Sequence, residues 1–265
     1  MHNPSYDTVY GFSDAELVRS GLKLGPRIFL TGTIVYGAGW FPSFFFFNHN
    51  QLKTTIILVL KGGVYRCEID DIEAARATLR RLKAYGAFSV KSYNQPCRSS
   101  RQMILQAAIE LEMIVVPEGG MAFHWNLNQI IDGHTTLEHS LPVAPLYNDV
   151  IEMFAQSGTA YTPTLIVNYG GLYGENYWYQ NTNVWENERL MKFSPNRDVK
   201  ARSVQRPKAE AQDYHHFATA KSVNAIHNKG GLTLAGAHGQ RQGIGLHWEM
   251  WMLSQACSSH CVLFR

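Results

Sequence analysis

Apolar residues recur along the chain with the spacing of helices that alternate with short strands. Between Asp71 and Tyr85 they fall on one helix face and the run stops at Gly86, as at the end of an amphipathic helix. Short β-branched runs of the kind found in buried parallel strands separate such segments. The predicted helices are Asp71–Tyr85, Arg98–Glu112, Leu127–Asp132, Pro145–Gln156 and Asp213–Asn228. The predicted strands are Arg27–Leu30, Ala87–Tyr93, Met113–Pro117, Thr135–His139, Ala160–Val167 and Gly231–Ala237.

This alternation predicts an α/β fold with parallel strands. A helical connection of about 10 to 15 residues returns the chain to the same edge of the sheet, so consecutive strands run parallel. A doubly wound sheet and a (β/α) barrel both meet this condition. No glycine-rich phosphate loop follows the strand Arg27–Leu30, which disfavours a dinucleotide-binding fold. We count about six strands where a closed barrel needs eight, and therefore predict an incomplete TIM-type (β/α) barrel.

We expect one domain over residues 1–265, since single α/β barrels run to about 250 residues. Within it, 40–67 contains a run of four phenylalanines without helical or strand period and is expected to be an irregular insert, and 256–265 an atypical tail. The apolar segments Trp40–Phe47 and Thr54–Leu60 are far shorter than the roughly 20 residues that cross a bilayer, so we expect no membrane segment. The opening MHNPSYD has no basic region and no apolar core, so no signal peptide is expected.

The composition is that of a globular protein, with 45% hydrophobic and 17% charged residues. The net charge of +3 comes from scattered Lys and Arg, apart from a modest cluster between Arg197 and Lys208, which argues against a nucleic-acid partner. Four cysteines show no CxxC spacing. This favours free thiols over a disulfide framework or a cysteine-bound zinc.

Ionisable side chains follow four of the predicted strands. AFSVKSY brings Lys91 to a strand end, MIVVPEGG brings Glu118, TTLEHS brings His139 and LTLAGAHG brings His238. In a parallel barrel the carboxyl ends of the strands form one mouth, where catalytic groups lie. Carboxylate and imidazole are ligands that suit zinc and similar divalent metals. The sequence therefore predicts that these four side chains converge on one site.

Several longer runs show a family resemblance: RIFLTGTIVYGA, GAFSVKSYNQP, VVPEGGMAFHWNLNQIIDGHTTLEHSLPVAPLY, GTAYTPTLIVNYGGLYGENYWYQ and LTLAGAHGQRQGIGLHWEMWML. They resemble the C-terminal hydrolase region of amidohydrolase-related proteins, in the branch often joined to TolB-like propellers, over most of 1–39 and 68–255. The resemblance implies a metal-dependent hydrolase of C–N bonds other than ordinary peptides, such as cyclic or acyl amides. It also implies a small-molecule substrate, one or two divalent metal ions, zinc foremost, and a TolB-like propeller domain in a full-length protein.

The resemblance also assigns roles to the strand-end residues. In that superfamily a strand-four lysine, often carboxylated, bridges two metals, histidines of strands five and six bind one of them, and a strand-eight aspartate acts as base. Lys91 matches the lysine and His139 the strand-six histidine. Glu118 stands where the strand-five histidine is expected, unless His124 takes that role, and His238 stands at the aspartate position. Lys91, Glu118 and His139 are thus implied as metal ligands and His238 as the catalytic proton acceptor.

Further expectations and alternatives accompany this assignment. His124, Tyr161 and Tyr169 are expected to contact the substrate. Lys91 could instead be a solvated lysine after a strand, and Glu118 a helix cap. The strand-one HxH pair of the superfamily is absent from the sequence, which indicates a truncated or mis-spliced member. The alternative functions are a catalytically inactive fragment and a binding module that uses the tyrosine-rich tract NYWYQNTNVW, although such a tract is more often packing. For His247 and Glu249 a structural role in ordering the last loop is favoured.

Overall fold

The computed structural model describes residues 1–37, 66–93, 95, 97–194 and 196–256. The chain divides into two compact units, Met1–Glu118 and Gly119–Arg265, and each has its own hydrophobic core. Residues 38–65, most of the expected insert, lie outside the described part, as does the expected tail beyond Ala256. The single domain over 1–265 stays a prediction.

The first unit is built on parallel strands. Its strands are β1 (His2–Asn3), β2 (Phe29–Leu30), β3 (Ile34–Gly37), β4 (Arg66–Ile69), β5 (Ser89–Ser92) and β6 (Ile114–Pro117). β1 pairs with β2, and the other four form a sheet of order β4-β3-β5-β6. The sequence pattern missed β3 and β4, and β4 includes the last residues of the stretch expected to be irregular. The pairing of β5 with β6 places Lys91 opposite Val116.

Three helices accompany these strands: α1 (Thr8–Arg19), α2 (Ile72–Ala84) and α3 (Arg98–Glu110). α2 begins where the Asp71 carboxylate accepts a hydrogen bond from the Ala74 N–H at 2.7 Å, which satisfies one of the free donors at a helix start. Its apolar face, including Leu79 and Leu82, is buried in the core of the first unit. The predicted helices Asp71–Tyr85 and Arg98–Glu112 are therefore confirmed within two residues at each end.

The second unit contains a two-stranded parallel sheet of β7 (Thr136–Glu138) and β8 (Ala160–Thr162), surrounded by helices. The helices are α4 (Phe123–Ile131), α5 (Asn148–Ser157), α6 (Gly174–Asn181), α7 (Glu188–Phe193), α8 (Asn196–Val204), α9 (His216–Asn228) and α10 (Ile244–Ser254). α5 ends at Gly158, whose φ of +73° is the left-handed conformation that glycine adopts at no steric cost. Short 3₁₀-helices occur at Leu165–Val167, Val184–Glu186 and Ala211–Asp213.

Two predicted strands of the second unit differ from the structure. The strand expected over Ala160–Val167 stops at Thr162, because Pro163 has no N–H to donate and Thr164 turns the chain with a φ of +52°. The strand expected over Gly231–Ala237 is wrong. Only Thr233 forms an isolated parallel bridge there, with Tyr161.

The parallel α/β class is confirmed. In the described part of the chain the strands form three separate sheets and none of them closes on itself. The incomplete barrel therefore stays a prediction. Among the helices that the structure describes, none combines the length and the apolar character needed to span a bilayer.

Candidate functional site

Lys91 and Glu118 meet in the first unit. Lys91 lies in β5, which is buried along its whole length, and the residue itself is only 3% exposed. Glu118 directly follows the neighbouring strand β6, and its N–H donates to the Ser92 carbonyl at 2.8 Å. The Lys91 Nζ forms an ion pair with Glu118 Oε2. The two residues come together because neighbouring parallel strands end at the same edge of the sheet.

His2 lies beside this ion pair, and sequence reasoning missed it. Its Nε2 is 3.0 Å from the Ser89 hydroxyl, two residues before Lys91 in β5. Desolvation of the ring is the main cause that lowers the pKa of His2, and the positive charge of Lys91 acts in the same direction. A histidine in a two-residue strand offers no periodic pattern, so nothing in the sequence distinguished it from an ordinary surface residue.

His139 and His238 meet in the second unit. His139 follows β7 and is buried, whereas His238 is exposed in the loop before α10. Their ring centroids are 5.0 Å apart with an angle of 67° between the ring planes. Both backbones are left-handed, with φ of +72° and +51°. This conformation is uncommon for residues other than glycine and persists only where the surrounding structure enforces it, which is often at functional sites.

Tyr169 packs against His139. The centroids of the two rings are 5.4 Å apart. The Tyr169 N–H donates to the Ser140 hydroxyl at 2.7 Å, which ties the segment of Tyr169 to the residue that follows His139. The His139 N–H in turn donates to the Thr162 carbonyl at 2.8 Å. His139 is thus fixed between β8 and the segment that carries Tyr169.

Tyr161 and His124, the other expected substrate contacts, have different surroundings. The Tyr161 side chain is fully buried, and its hydroxyl accepts a hydrogen bond from the Leu141 N–H at 2.8 Å. Burial raises the pKa of this hydroxyl, and its ring packs on Phe154 with a centroid distance of 4.7 Å. This geometry favours a role in the core. His124 is exposed in the first turn of α4, where its ring contacts Trp125.

Glu249 is a buried carboxylate in α10 that holds the turn after β8. Its two oxygens accept hydrogen bonds from the N–H groups of Leu165 at 2.8 Å and Ile166 at 2.9 Å. Burial raises the pKa of Glu249 to about 8, against the opposing effect of the two hydrogen bonds. The sequence indicated a structural role for Glu249 in ordering the last loop, but its hydrogen-bond partners were not predictable.

The tyrosine-rich tract of α6 is used in packing. Trp178 stacks on Trp248, with ring centroids 6.2 Å apart, and lies edge-on to Trp251 at 5.3 Å. Tyr179 is buried against Trp248. These contacts favour a structural role for the tract over a recognition surface.

His139 carries an imidazole, which in its neutral form is a common zinc ligand. The His238 ring lies beside it, with the two ring centroids 5.0 Å apart, where it could exchange a proton. In the first unit Glu118 offers carboxylate oxygens, but an ammonium group on Lys91 has no lone pair with which to bind a metal.

The described residues hold no group of three or more His, Cys, Asp or Glu side chains arranged for a metal. The structure brings Lys91 to Glu118 and His139 to His238, and these pairs belong to different units. Convergence of all four on one site stays a prediction.

No family model and no curated protein matches the chain. Solved structures do match its fold. The chain is similar to a Xaa-Pro dipeptidase with bound methionine, at 16% identity and a TM-score of 0.58 over 97% of this chain and 59% of that one. It is similar to bottromycin amidohydrolase, at 15% identity and a TM-score of 0.61 over 93% and 55%. The chain is also similar to ochratoxinase of A. niger, at 16% identity and a TM-score of 0.54 over 89% of this chain and 51% of that one.

These likenesses show that the chain has the α/β fold of these hydrolases. It spans about three-fifths of the length of the dipeptidase structure. The association with TolB-like propellers stays a prediction.

Proposed function

We propose that this chain is part of a metal-dependent hydrolase that cleaves a C–N bond in an amide, such as a cyclic or acyl amide. The main support is the contact between His139 and His238, which brings a buried imidazole that could bind a metal beside an exposed imidazole that could accept a proton. Further support comes from the fold, which the chain shares with a dipeptidase and an amidohydrolase. Their names denote hydrolysis of amide bonds.

The proposed metal ligands are His139, Glu118 and Lys91. Zinc is the divalent metal that an imidazole and carboxylate set favours. His139 would bind through a ring nitrogen and Glu118 through its carboxylate. Lys91 would bind a metal only as a neutral amine or after carboxylation, because its ammonium form offers no lone pair. When bound, the metal would polarise the substrate carbonyl and lower the pKa of a bound water to about 7.

His238 is the proposed proton acceptor. Its exposed ring lies beside the buried ring of His139, so a ring nitrogen of His238 can receive a proton close to the ligand and pass it to the leaving nitrogen. Tyr169, which packs against His139, and His124 are the proposed substrate contacts. For Tyr161 we propose support of Leu141, because its hydroxyl accepts the Leu141 N–H.

The test is metal content combined with a hydrolysis assay. Purified protein is dialysed against zinc, freed of loosely bound ions and analysed for bound metal. It is then assayed with N-acyl amino acids, cyclic amides and dipeptides that end in proline. The proposal expects bound zinc and release of an amine from at least one class. A folded protein that binds no zinc and cleaves none of these substrates would contradict the proposal and support the inactive fragment.

A further inference from the structure

Glu249 joins two segments that lead to the two imidazoles of the candidate site. Through its carboxylate it holds the first N–H groups of the 3₁₀-helix Leu165–Val167. Such N–H groups at a helix start have no partner within the helix and need one from elsewhere. Here the partner comes from the middle of α10, more than eighty residues further along the chain.

The first segment leads from the 3₁₀-helix to His139. Asn168 follows this helix and donates its N–H to the Leu165 carbonyl at 3.1 Å. The next residue, Tyr169, packs its ring against that of His139 and is hydrogen-bonded to Ser140. The 3₁₀-helix thus ends two residues before the tyrosine whose ring contacts His139.

The second segment leads from α10 back to His238. The loop from His238 folds onto the start of the helix, where the Gly245 N–H donates to the Arg241 carbonyl at 2.7 Å. The approach is so close that a side chain at Gly245 would place its Cβ 2.1 Å from the Gln240 carbonyl oxygen. Gln240 and Arg241, two and three residues after His238, are therefore packed closely on the start of α10.

Burying a carboxyl group costs free energy, because the group leaves water before any hydrogen bond forms, and an apolar residue of similar size would avoid that cost. Hydrogen bonds to two successive N–H groups offer something that an apolar residue does not, which is a fixed geometry between the two segments.

We propose that Glu249 is a positioning residue that fixes His238 against His139 by tying α10 to the 3₁₀-helix before Tyr169. The effect of Glu249 on catalysis rests on the proposed function, whereas its effect on the contact between the two histidine rings does not.

The test uses the near-isosteric variant Glu249→Gln. Glutamine places an NH₂ donor where one of the two oxygens of Glu249 accepts an N–H, so one of the two hydrogen bonds is lost with little change in volume. In protein labelled at histidine, we expect the nuclear Overhauser contact between the His139 and His238 rings to weaken. Cobalt binding, followed by its visible absorption, should become about 10- to 100-fold weaker with an altered spectrum, the usual scale for loss of a supporting contact. Glu152→Gln is the control, because Glu152 pairs with Lys229 at the surface, and it should change neither readout.

The possible outcomes separate the two proposals. If the unaltered protein binds no cobalt, the proposed function fails, while the ring contact still decides the role of Glu249. An unchanged ring contact in folded Glu249→Gln overturns that role. Should the variant not fold, amide hydrogen exchange of the unaltered protein decides. The proposal then requires the Leu165 and Ile166 amides to exchange under the same conditions that abolish the contact between the His139 and His238 rings. Exchange of these amides while the ring contact persists would overturn it.

Discussion

The imidazole of His139 lies against that of His238, with ring centroids 5.0 Å apart and both backbones in the left-handed region. His139 directly follows β7, and His238 belongs to the loop before α10. Two uncommon backbone conformations that meet at one pair of titratable side chains indicate a geometry that the rest of the fold enforces.

Replacement of the two histidines should separate a ligand from a proton acceptor. We expect His139→Ala to lose bound zinc, with affinity reduced by more than the roughly 100-fold seen for supporting contacts, because an inner ligand is removed. His238→Ala should retain zinc and lose hydrolysis. Metal content and amine release measure the two effects, and the exposed His247→Ala serves as control. Loss of zinc from His238→Ala would instead make that residue a ligand.

Loss of Lys91 should destabilise the first unit. The variant Lys91→Met leaves the Glu118 carboxylate largely buried without its ion pair, which costs about 3 to 5 kcal/mol of unfolding free energy. Replacing both partners, as Lys91→Met with Glu118→Gln, should recover much of the loss. Urea unfolding followed by circular dichroism measures both. Lys229→Met, which breaks a solvent-exposed pair with Glu152, should cost no more than about 1 kcal/mol. Equal losses in the two lysine variants would contradict the buried pair.

Removal of the Tyr161 hydroxyl should affect stability but not substrate binding. In Tyr161→Phe the buried Leu141 N–H loses its acceptor, which costs about 1 to 3 kcal/mol. The Michaelis constant of the hydrolysis reaction should stay unchanged. Thermal unfolding and steady-state kinetics check the two statements, with the exposed Tyr173→Phe as control. A raised Michaelis constant without loss of stability would restore Tyr161 as a substrate contact.

The buried carboxylate of Glu249 predicts a pH dependence of stability. Its pKa is raised to about 8 in the folded protein from an ordinary value of 4.5. Between these pH values the folded protein holds a proton that the unfolded chain releases. The stabilising contribution of this proton to the free energy of unfolding is therefore fully present below pH 4.5 and is lost as the pH rises to about 8. We expect the free energy of unfolding to fall by an amount on the order of a few kcal/mol across this window.

Urea unfolding at a series of pH values measures this fall. The side chain at position 249 does not titrate in Glu249→Gln, so the free energy of unfolding of this variant should change less between pH 5 and 8. That of Glu152→Gln should follow the unaltered protein. The same slope in Glu249→Gln and in the unaltered protein would show that Glu249 is not the group responsible.

Helices and strands with a clear period were predictable from the sequence. α2 and α3 have one apolar face each, and their bounds agree with the prediction within two residues at each end. Gly231–Ala237 reads equally well as an apolar strand, yet it forms only one bridge. Whether an apolar run becomes a strand depends on a neighbour with which to pair, and that information is not local.

The sequence alone determined the parallel α/β class and the approach of Lys91 to Glu118, since both residues follow apolar runs and neighbouring parallel strands end at one edge. Only the tertiary structure decided that His238 lies against His139, that Tyr161 turns into the core, and that Glu249 holds the turn after β8. The reason is that these contacts join segments far apart in the chain. Their geometry depends on how helices pack on one another, whereas a periodic pattern reports only which face of each element is buried.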